Sequence, residues 1–158
     1  MILEEINKRY KKETSQTSMG CANLNPFLNI RKGDSILDLG CGRGYQVFEM
    51  AKQTGERGEV TGFDLTQKMI DIATKNNSFS NVSFIQGNIE KLPFEENRFD
   101  LITSNCVINH SQNKKLVFEE IFRTLKNKGR FLIGDVMSVE ELPADVANDP
   151  KAIAQCYG

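Results

Sequence analysis

Hydrophobic and polar positions along this chain follow two periods that alternate with each other. Five short apolar runs predict strands, at residues 35–39, 59–64, 82–85, 99–103 and 130–134. Between them, apolar residues recur every three or four positions, which predicts helices at 45–53, around 69–73 and at 114–126. Strands that alternate with helices in this way indicate a parallel sheet that is covered on both faces.

The fold class that this pattern predicts is a doubly wound, Rossmann-like α/β fold. Right-handed crossovers give a mostly parallel sheet with strand order 3-2-1-4-5, and ligands bind at the carboxyl ends of its strands. Five apolar side chains of the helix at 114–126 are expected to point inward: Val117, Phe118, Ile121, Phe122 and Leu125. We divide the chain into an N-terminal helix with a mobile cap segment (1–26), the Rossmann-like domain (27–137) and a C-terminal region (138–158) with one short helix.

Composition excludes several classes of partner. The net charge of -1 gives no indication of a nucleic-acid or anionic-membrane surface. The first residues mix acids and bases without the apolar stretch of a signal peptide, and no run reaches membrane-spanning length. We therefore expect a cytoplasmic protein, in which thiols stay reduced.

The loop that follows the first strand is rich in glycine. Residues 38–44, DLGCGRG, carry the spacing G-x-G-x-G, whereas a dinucleotide fingerprint needs G-x-G-x-x-G and Tyr45 occupies the place of its last glycine. Asp38 precedes this loop, and a carboxylate there suits an ammonium group but repels a pyrophosphate. Asp64 ends the second strand, where an acid accepts hydrogen bonds from both hydroxyls of a ribose. Loop and acid together predict an adenosine ligand with a zwitterionic, phosphate-free tail; the alternative is an ordinary strand–turn–helix with a capping acid.

The segments ILDLGCGRG, GFDLT and GNIEKLPFEENRFDLI resemble the class I S-adenosylmethionine-dependent methyltransferases. The resemblance makes residues 27–137 the S-adenosylmethionine-binding domain. It implies that the methionine part of the cofactor lies against Asp38, Gly40, Cys41, Gly42 and Gly44. It further implies that the adenosine lies against Asp64, Leu65, Met69, Asn88 and Ile89, with Asn105 also on the cofactor side. Many family members have an acid in place of Asn88, so its alternative role is that of a turn residue.

Four cysteines stand at positions 21, 41, 106 and 156, and none belongs to a Cys-x-x-Cys pair. Together with a single histidine, His110, this argues against a zinc finger or ribbon. Scattered cysteines of a cytosolic chain are most often small buried hydrophobes, and Cys41 fits that role within its loop. Of the other three, Cys21 precedes the first strand, Cys106 is expected at the carboxyl end of the fourth and Cys156 stands near the end of the chain. All three could converge over the ligand-binding edge of the sheet. Three thiolates there would suit a soft trigonal-pyramidal centre such as arsenic(III).

A closer resemblance is to the arsenite methyltransferases, which act in arsenic detoxification. It runs through MGCANLNPFLNIRKGDSILDLGCGRG, SNCVINHSQNKKLVFEEIFRTLKNKGRFLIGDV and ELPADVANDPKAIAQC, and SNCVIN is its most specific part. It implies that Cys21, Cys106 and Cys156 are catalytic thiols that hold arsenic(III), with Cys106 neither a disulfide half nor a nucleophile. A thiol reductant is then an expected partner. Ala22 stands where the family often has glycine, which would stiffen this segment.

Two other functions remain open. One is methyl transfer to a carbon, oxygen or nitrogen of a small metabolite, as in quinone biosynthesis, with Cys106 lining the pocket and Asn105 or His110 orienting the acceptor. The other is a non-catalytic module that binds the cofactor or a metalloid. Because the family's sheet has two further strands, we expect that the chain is truncated, or that a homodimer covers the apolar edge of the fifth strand.

Overall fold

A five-stranded parallel sheet organises the part of the chain that the computed structural model describes, residues 2–12 and 22–155. Its strands are β1 (Ser35–Leu39), β2 (Glu59–Asp64), β3 (Val82–Gln86), β4 (Phe99–Asn105) and β5 (Leu125–Gly134). Their order is β3-β2-β1-β4-β5, and every neighbouring pair is parallel. The predicted fold class and the predicted strand order are therefore confirmed.

Helices connect these strands and close the two ends of the described chain. They are α1 (Ile2–Lys12), α2 (Tyr45–Thr54), α3 (Gln67–Lys75), α4 (Lys114–Thr124), α5 (Ala144–Ala147) and α6 (Pro150–Ala154). Two short helices thus stand where the C-terminal pattern predicted one. The Asn113 side chain begins α4 by accepting a hydrogen bond from the Leu116 amide, which is the ordinary role of an N-cap asparagine. Within the described ranges, no helix has the length and apolar character that crossing a membrane requires.

The period of two along β1 divides the core between the two faces of the sheet. Ile36 packs with Val47 of α2 and Ile70 of α3 on one face. Leu37 packs with Val117 of α4 on the other. Each such side chain contributes about 1.5–3 kcal/mol when it is removed from water. With both faces covered, the carboxyl edge of the sheet is where the chain can form a ligand site.

Helix α4 buries a narrower stripe than its sequence pattern predicted. Val117 and Ile121 are buried, but Phe118 is 45% exposed and Phe122 is 83% exposed, so the prediction that both phenylalanines point inward is wrong. The two phenylalanines each follow a buried residue of α4, Val117 or Ile121, and together with Phe131 of β5 they line a groove. The helix also ends at Thr124, because the chain enters β5 already at Leu125. Among the described strands β5 is an edge, and a homodimer on that edge stays a prediction.

Of the segment predicted to be mobile, residues 13–21 lie outside the described residues. The remainder, residues 22–26, includes the buried Leu24, which joins the core on the α2 and α3 face of the sheet. The chain is therefore anchored immediately before β1, next to the carboxyl edge of β4.

Candidate active site

A cleft of about 1120 Å³, a volume that includes open solvent, lies along the carboxyl edge of the sheet. The ends of β1, β2 and β4, the turn at residues 88–90 and helix α1 line it. Ten residues predicted for the site share this lining: Asp38, Gly40, Cys41, Gly42, Asp64, Leu65, Asn88, Ile89, Asn105 and Cys106. Gly44 and Met69 are not part of it.

The glycine loop takes its shape from backbone conformations that favour glycine. Gly40, Gly42 and Gly44 have φ angles of 70°, 53° and 85°, all in the left-handed region. The amides of Gly40 and Cys41 both donate to the Phe63 carbonyl, at 2.7 and 3.1 Å, and so tie the loop to β2. A Cβ on Gly44 would come within 2.8 Å of the Phe84 ring. Gly44 therefore sets the path of the chain into α2 without lining the cleft.

Two buried carboxyl groups face this loop. The Asp38 Oδ1 atom accepts a 2.7 Å hydrogen bond from the Thr103 hydroxyl, whose residue is its register partner on β4. Burial raises the pKa of Asp38 to about 7; the Thr103 hydrogen bond opposes this shift and the nearby charge of Asp64 adds to it. A cation in the cleft would stabilise the ionised form. Such a site would favour an ammonium group over an anion; the role of Asp38 toward a ligand stays a prediction.

Asp64 is held by the backbone on both of its oxygens. Oδ2 accepts from the Gly42 amide at 2.9 Å, and Oδ1 accepts from the Thr66 amide at 2.8 Å. Burial raises the pKa of Asp64, and these hydrogen bonds oppose the shift. A carboxylate can accept about four hydrogen bonds. Asp64 can therefore hold the loop and still accept from two ribose hydroxyls.

The predicted adenine side of the cleft contains Leu65, Asn88 and Ile89 but lacks Met69. Met69 is 1% exposed on the inward face of α3, with Ile70 and Ala73, so the structure does not place it beside a ligand in the cleft. The Asn88 side chain accepts a 2.9 Å hydrogen bond from the Glu90 amide, the geometry of an asparagine turn. Asn88 thus fills its alternative role as a turn residue while still lining the cleft.

Cys106 follows β4 in a conformation that is uncommon for a cysteine. Its φ angle is 58°, in the left-handed region that costs a residue with a Cβ about 1–2 kcal/mol. Its amide donates to the Gly134 carbonyl at 2.8 Å, and its side chain is buried at the cleft wall. Strain of this kind clusters at functional sites.

The oxidation state of Cys106 corrects one expectation. Cys106 is disulfide-bonded in the structure, so the prediction that it is not a disulfide half is wrong. The physical reason is proximity, since a disulfide requires a second thiol within bonding distance of the Cys106 sulfur. Cys41, by contrast, is a free buried cysteine, and burial raises the pKa of its thiol, which suits a structural residue.

The cofactor role of Asn105 stays a prediction, and the structure shows its side chain bonded to the segment before β1. Its Nδ2 atom donates to the Ala22 carbonyl at 2.6 Å, and its Oδ1 atom accepts from the Ala22 amide at 3.1 Å. Both polar ends of the side chain are thus used on the segment before β1, although the residue lines the cleft. A cofactor-binding role for Asn105 is not what this geometry favours.

Side chains that the sequence analysis did not single out hold the loop after Cys106. Asp135 accepts from the amide of Ile108 at 3.1 Å and from the side chain of Asn109 at 3.0 Å. From the other side of the loop, Glu90 accepts from the Ser111 hydroxyl at 2.6 Å. The position of Asp135 directly after a strand was the sequence feature that could have indicated a role for it. Its hydrogen-bond partners lie 26 and 27 residues away, so the sequence did not indicate which groups it binds.

Helix α1 lines the cleft and contacts His110 there. The His110 Nδ1 atom is 2.8 Å from the Ile153 carbonyl, which can only accept, so Nδ1 carries the proton. Its Nε2 atom then accepts from the Tyr10 hydroxyl at 3.1 Å. Burial lowers the pKa of His110, which keeps the ring neutral. Leu3 and Tyr10 extend α1 along the cleft, a contact that nothing in the local sequence pattern predicted.

Of the three thiols predicted to form a cluster, only that of Cys106 is among the residues that the structure describes. Cys21 and Cys156 lie outside the described residues, whereas Ala22 is bonded to Asn105, next to Cys106. Residues 2–12 and 22–155 contain no group of three or more His, Cys, Asp or Glu side chains able to hold a metal ion. Convergence of the three thiols stays a prediction.

Known proteins share the sequence and the fold of this chain. Residues 30–158 match a family model described as a methyltransferase domain. An arsenite methyltransferase of Halobacterium salinarum is 37% identical over an alignment of 141 residues that covers 87% of this chain and 36% of that protein. The solved structure of an arsenic(III) S-adenosylmethionine methyltransferase from Chlamydomonas reinhardtii matches with a TM-score of 0.78 at 32% identity. That match covers 96% of this chain and 55% of the other.

A relative with a different acceptor is also similar. A demethylmenaquinone methyltransferase of Lactococcus lactis is 40% identical over an alignment of 101 residues that covers 62% of this chain and 40% of that protein. The chain spans between 36% and 55% of the length of these three proteins.

Proposed function

Because the chain belongs to the class I S-adenosylmethionine-dependent methyltransferases, we propose that it transfers a methyl group to arsenite held by cysteine thiols. The observation that carries this proposal is Cys106, strained and buried at the carboxyl end of β4, on the wall of the cleft that holds Asp38 and Asp64. Similarity to arsenite methyltransferases over most of the chain supports the same acceptor. A role in arsenic detoxification and a cytoplasmic location stay predictions.

S-Adenosylmethionine is the cofactor of this family, and the residues of the cleft fit it. When bound, it supplies a methyl group on a sulfonium sulfur, which the lone pair of a trivalent arsenic can accept without loss of a proton. Asp38 would hold the cofactor's ammonium group, and Asp64 its ribose. No general base is needed, so the chain contributes positioning and exclusion of water.

The acceptor side requires reduced thiols. Since Cys106 is disulfide-bonded in the structure, arsenite can bind it only after reduction. We therefore retain a thiol reductant as a partner of the proposed reaction. Cys21 and Cys156 would complete the arsenic site, with the arsenic as substrate rather than as a resident metal.

A second candidate function is methyl transfer to a quinone-like metabolite. The observation that favours it is His110, whose neutral ring lies at the cleft wall, together with the similarity to demethylmenaquinone methyltransferase. In that case Cys106 would only line the acceptor pocket. A non-catalytic module that binds cofactor or metalloid is the remaining alternative.

Calorimetric titration with arsenite separates the first two functions. The chain is first reduced with a phosphine, which does not chelate arsenic as a dithiol would. We expect wild type to bind arsenite and Cys106→Ser to bind at least roughly a hundredfold more weakly, a loss of about 2.7 kcal/mol. Met137→Ser, which removes an exposed sulfur after β5, is the control and should bind like wild type.

Two results would contradict the arsenite proposal. One is a wild-type chain that ignores arsenite, and the other is equal affinity in wild type and Cys106→Ser. Transfer of labelled methyl from S-adenosylmethionine, with arsenite and a demethylated quinone offered separately, then identifies the acceptor. Cofactor binding without transfer to either acceptor would support the non-catalytic module.

A further inference from the structure

One carboxyl group holds the far end of the loop at residues 107–113, which we call the β4–α4 loop. The Oε1 atom of Glu90 accepts three hydrogen bonds there, from the Ser111 hydroxyl at 2.6 Å and from the amides of Gln112 and Asn113 at 3.0 and 3.2 Å. Asn113 is also the N-cap of α4, so the carboxylate lies at the positive end of that helix. Because hydrogen bonds to an ionised acceptor are stronger than neutral ones, Glu90 is a firm anchor for this end of the loop.

The backbone of the loop carries this anchor back toward Cys106. The Ser111 amide donates to the Ile108 carbonyl at 3.0 Å, and the His110 amide donates to the Val107 carbonyl at 3.0 Å. These bonds belong to the single turn of 3-10 helix that follows Cys106. The position of the loop at Ser111 therefore affects its position at Val107 and Cys106.

A second carboxyl group, that of Asp135, holds the same loop from the end of β5. It accepts from the amides of Ile108 and Asn109 at 3.1 and 3.4 Å, and from the Asn109 side chain at 3.0 Å. Like Glu90, it accepts from two amides and one side chain of the loop. The two acids differ in their place relative to the cleft, because Glu90 lines it and Asp135 does not.

Glu90 belongs to the turn at residues 88–90, which lines the cleft on the predicted adenine side. The Glu90 amide donates to the Asn88 Oδ1 atom at 2.9 Å. Ile89, between them, is buried and packs in the same core cluster as Val117 of α4. A ligand that contacts Asn88 or Ile89 therefore acts directly on the residue that holds the loop.

We propose that Glu90 is a positioning residue that couples cofactor binding at this turn to the placement of the β4–α4 loop and Cys106. A ligand at the turn restricts Glu90, and Glu90 restricts the loop, so less ordering remains when an acceptor binds. Such coupling is reciprocal, so an acceptor that orders the loop raises the affinity for the cofactor by the same factor. The consequence for arsenite rests on the proposed function, whereas the link between turn and loop rests on the contacts of Glu90.

Hydrogen exchange measures this coupling without any acceptor. Backbone exchange of the phosphine-reduced chain is followed by mass spectrometry, with and without saturating S-adenosylhomocysteine. In wild type we expect the ligand to slow exchange of the β4–α4 loop roughly tenfold, since coupling between sites typically spans about 5–150-fold. In Glu90→Ala the slowing should fall below about threefold, a remainder that the contact of Gly40 with Val107 can carry. The turn at residues 88–90 should stay protected by the ligand in both chains.

Asp135→Ala is the matched control, because Asp135 holds the same loop through an equivalent set of bonds. It should speed loop exchange in the ligand-free chain about as much as Glu90→Ala does, yet keep the roughly tenfold slowing by S-adenosylhomocysteine. Glu90→Gln retains an oxygen acceptor of the same length without the charge. Its slowing should lie between those of wild type and Glu90→Ala, and thermal melting checks that each variant is folded.

Titration with arsenite separates this inference from the proposed function. On the reduced wild-type chain, saturating S-adenosylhomocysteine should strengthen arsenite binding roughly tenfold, and on reduced Glu90→Ala by less than about threefold. If wild type ignores arsenite while the exchange results hold, the proposed function fails and the coupling role of Glu90 stands. If S-adenosylhomocysteine strengthens arsenite binding equally in both chains, the coupling role is overturned.

Three exchange results would also overturn the coupling role. Unchanged exchange of the β4–α4 loop in ligand-bound wild type would show that the turn and the loop are independent. Full slowing in Glu90→Ala would show that the ligand orders the loop by another route. Equal loss of slowing in Glu90→Ala and Asp135→Ala would show a general loosening of the loop rather than a link through Glu90.

Discussion

The two sides of the cleft differ in whether main-chain or side-chain atoms form their contacts. On the cofactor side, the ligand surface is largely main chain: Gly40 and Gly42 in left-handed conformations, with amides that bond to Phe63 and Asp64. On the proposed acceptor side, formed by Cys106 and the loop that follows it, side chains hold the loop from outside, as Asn105 does at Ala22 and Asp135 does at Ile108. The first side is closed by neighbouring strands, and the second by segments that are distant in sequence.

This difference indicates on which side of the cleft residues can be substituted without a change of fold. Main-chain contacts of the glycine loop follow from the β1–α2 turn, so they accompany the fold whatever the acceptor is. The side-chain contacts around Cys106 can each be exchanged by a single substitution, which leaves the sheet in place. That separation agrees with relatives of this chain that share the domain but are named for arsenite or for demethylmenaquinone.

Gly40 and Val107 form one of the contacts at which the two sides meet. A Cβ on Gly40 would lie 2.1 Å from the Val107 side chain, which belongs to the loop after Cys106, and the φ of Gly40 is 70°. We therefore expect Gly40→Ala to produce the largest effect, with loss of both cofactor and arsenical binding. Backbone strain of about 1–2 kcal/mol and overpacking of about 1–3 kcal/mol add there. Calorimetry measures the affinity for each of the two ligands, and thermal melting measures the loss of stability.

Gly42→Ala is the matched control for this contact. Gly42 has a φ of 53°, but a Cβ there would meet nothing within 4 Å. It should therefore show the strain without the collision and weaken only the cofactor side, roughly tenfold. Equal losses of arsenical affinity in the two variants would mean that the sides do not communicate through Val107.

The second prediction concerns the charge on the cofactor side. Asp38 must be ionised to hold an ammonium group, and its pKa of about 7 means that this form accumulates only as the pH rises. Cofactor affinity should therefore increase between about pH 6 and about pH 8. Stability of the cofactor-free chain should change in the opposite sense. Asp38 has its ordinary pKa when unfolded, so between about pH 4 and pH 7 the folded state holds more protons and loses stability as pH rises.

Asp64→Asn should move the midpoint of that affinity curve to lower pH. The negative charge of Asp64 is one of the causes that raise the pKa of Asp38, and an amide removes it. Overall affinity should also fall, but the midpoint reports the charge alone. Asp100→Asn is the control, because Asp100 bonds to Ser35 and Lys126 away from the cleft. A midpoint that is the same in all three proteins would show that Asp38 is not the titrating group.

Local patterns predicted the framework well, for a physical reason. Alternation along β1 and the glycine spacing of its loop are set by neighbours in sequence, so strands, strand order and the positions of Asp38 and Asp64 could be predicted. Sequence did not show which flank of α4 would meet the sheet, and Phe122 was therefore placed on the wrong side. Met69 was predicted as a ligand contact but lies in the core of the structure, because helical spacing alone does not distinguish a core position from a ligand contact.

The acceptor side could be predicted only as a set of thiols. The bond between Asn105 and Ala22 spans 83 residues, and the one between Tyr10 and His110 spans 100. No period or short motif encodes such pairs, because each partner is an ordinary polar residue in its own segment. Sequence similarity singled out Cys106 as a candidate, but the side chains that determine its surroundings became visible only with the fold.

The variant with the smallest expected effect, Tyr10→Phe, tests whether α1 contributes to ligand binding on one side of the cleft or on both. Tyr10 bonds to His110 on the acceptor loop, and it also packs with Leu65, on the predicted adenine side, against the α1 and α6 core. Tyr10→Phe removes only the hydroxyl. It should weaken cofactor and arsenical binding alike, by about 1 kcal/mol or roughly fivefold, because the buried His110 Nε2 atom loses its donor.

Acid should reproduce part of this loss in wild type. Burial lowers the pKa of His110, so the folded state resists protonation and is stabilised as pH rises through the region below the ordinary pKa of about 6.5. Once protonated, Nε2 can no longer accept from Tyr10. Asn7→Ala, which removes an exposed bond to Leu3 within the same helix, controls for helix stability and should leave both affinities unchanged. If Tyr10→Phe weakens the binding of one ligand and leaves the affinity for the other unchanged, α1 contributes to one side of the cleft only. The two sides would then be more independent than the shared lining by α1 indicates.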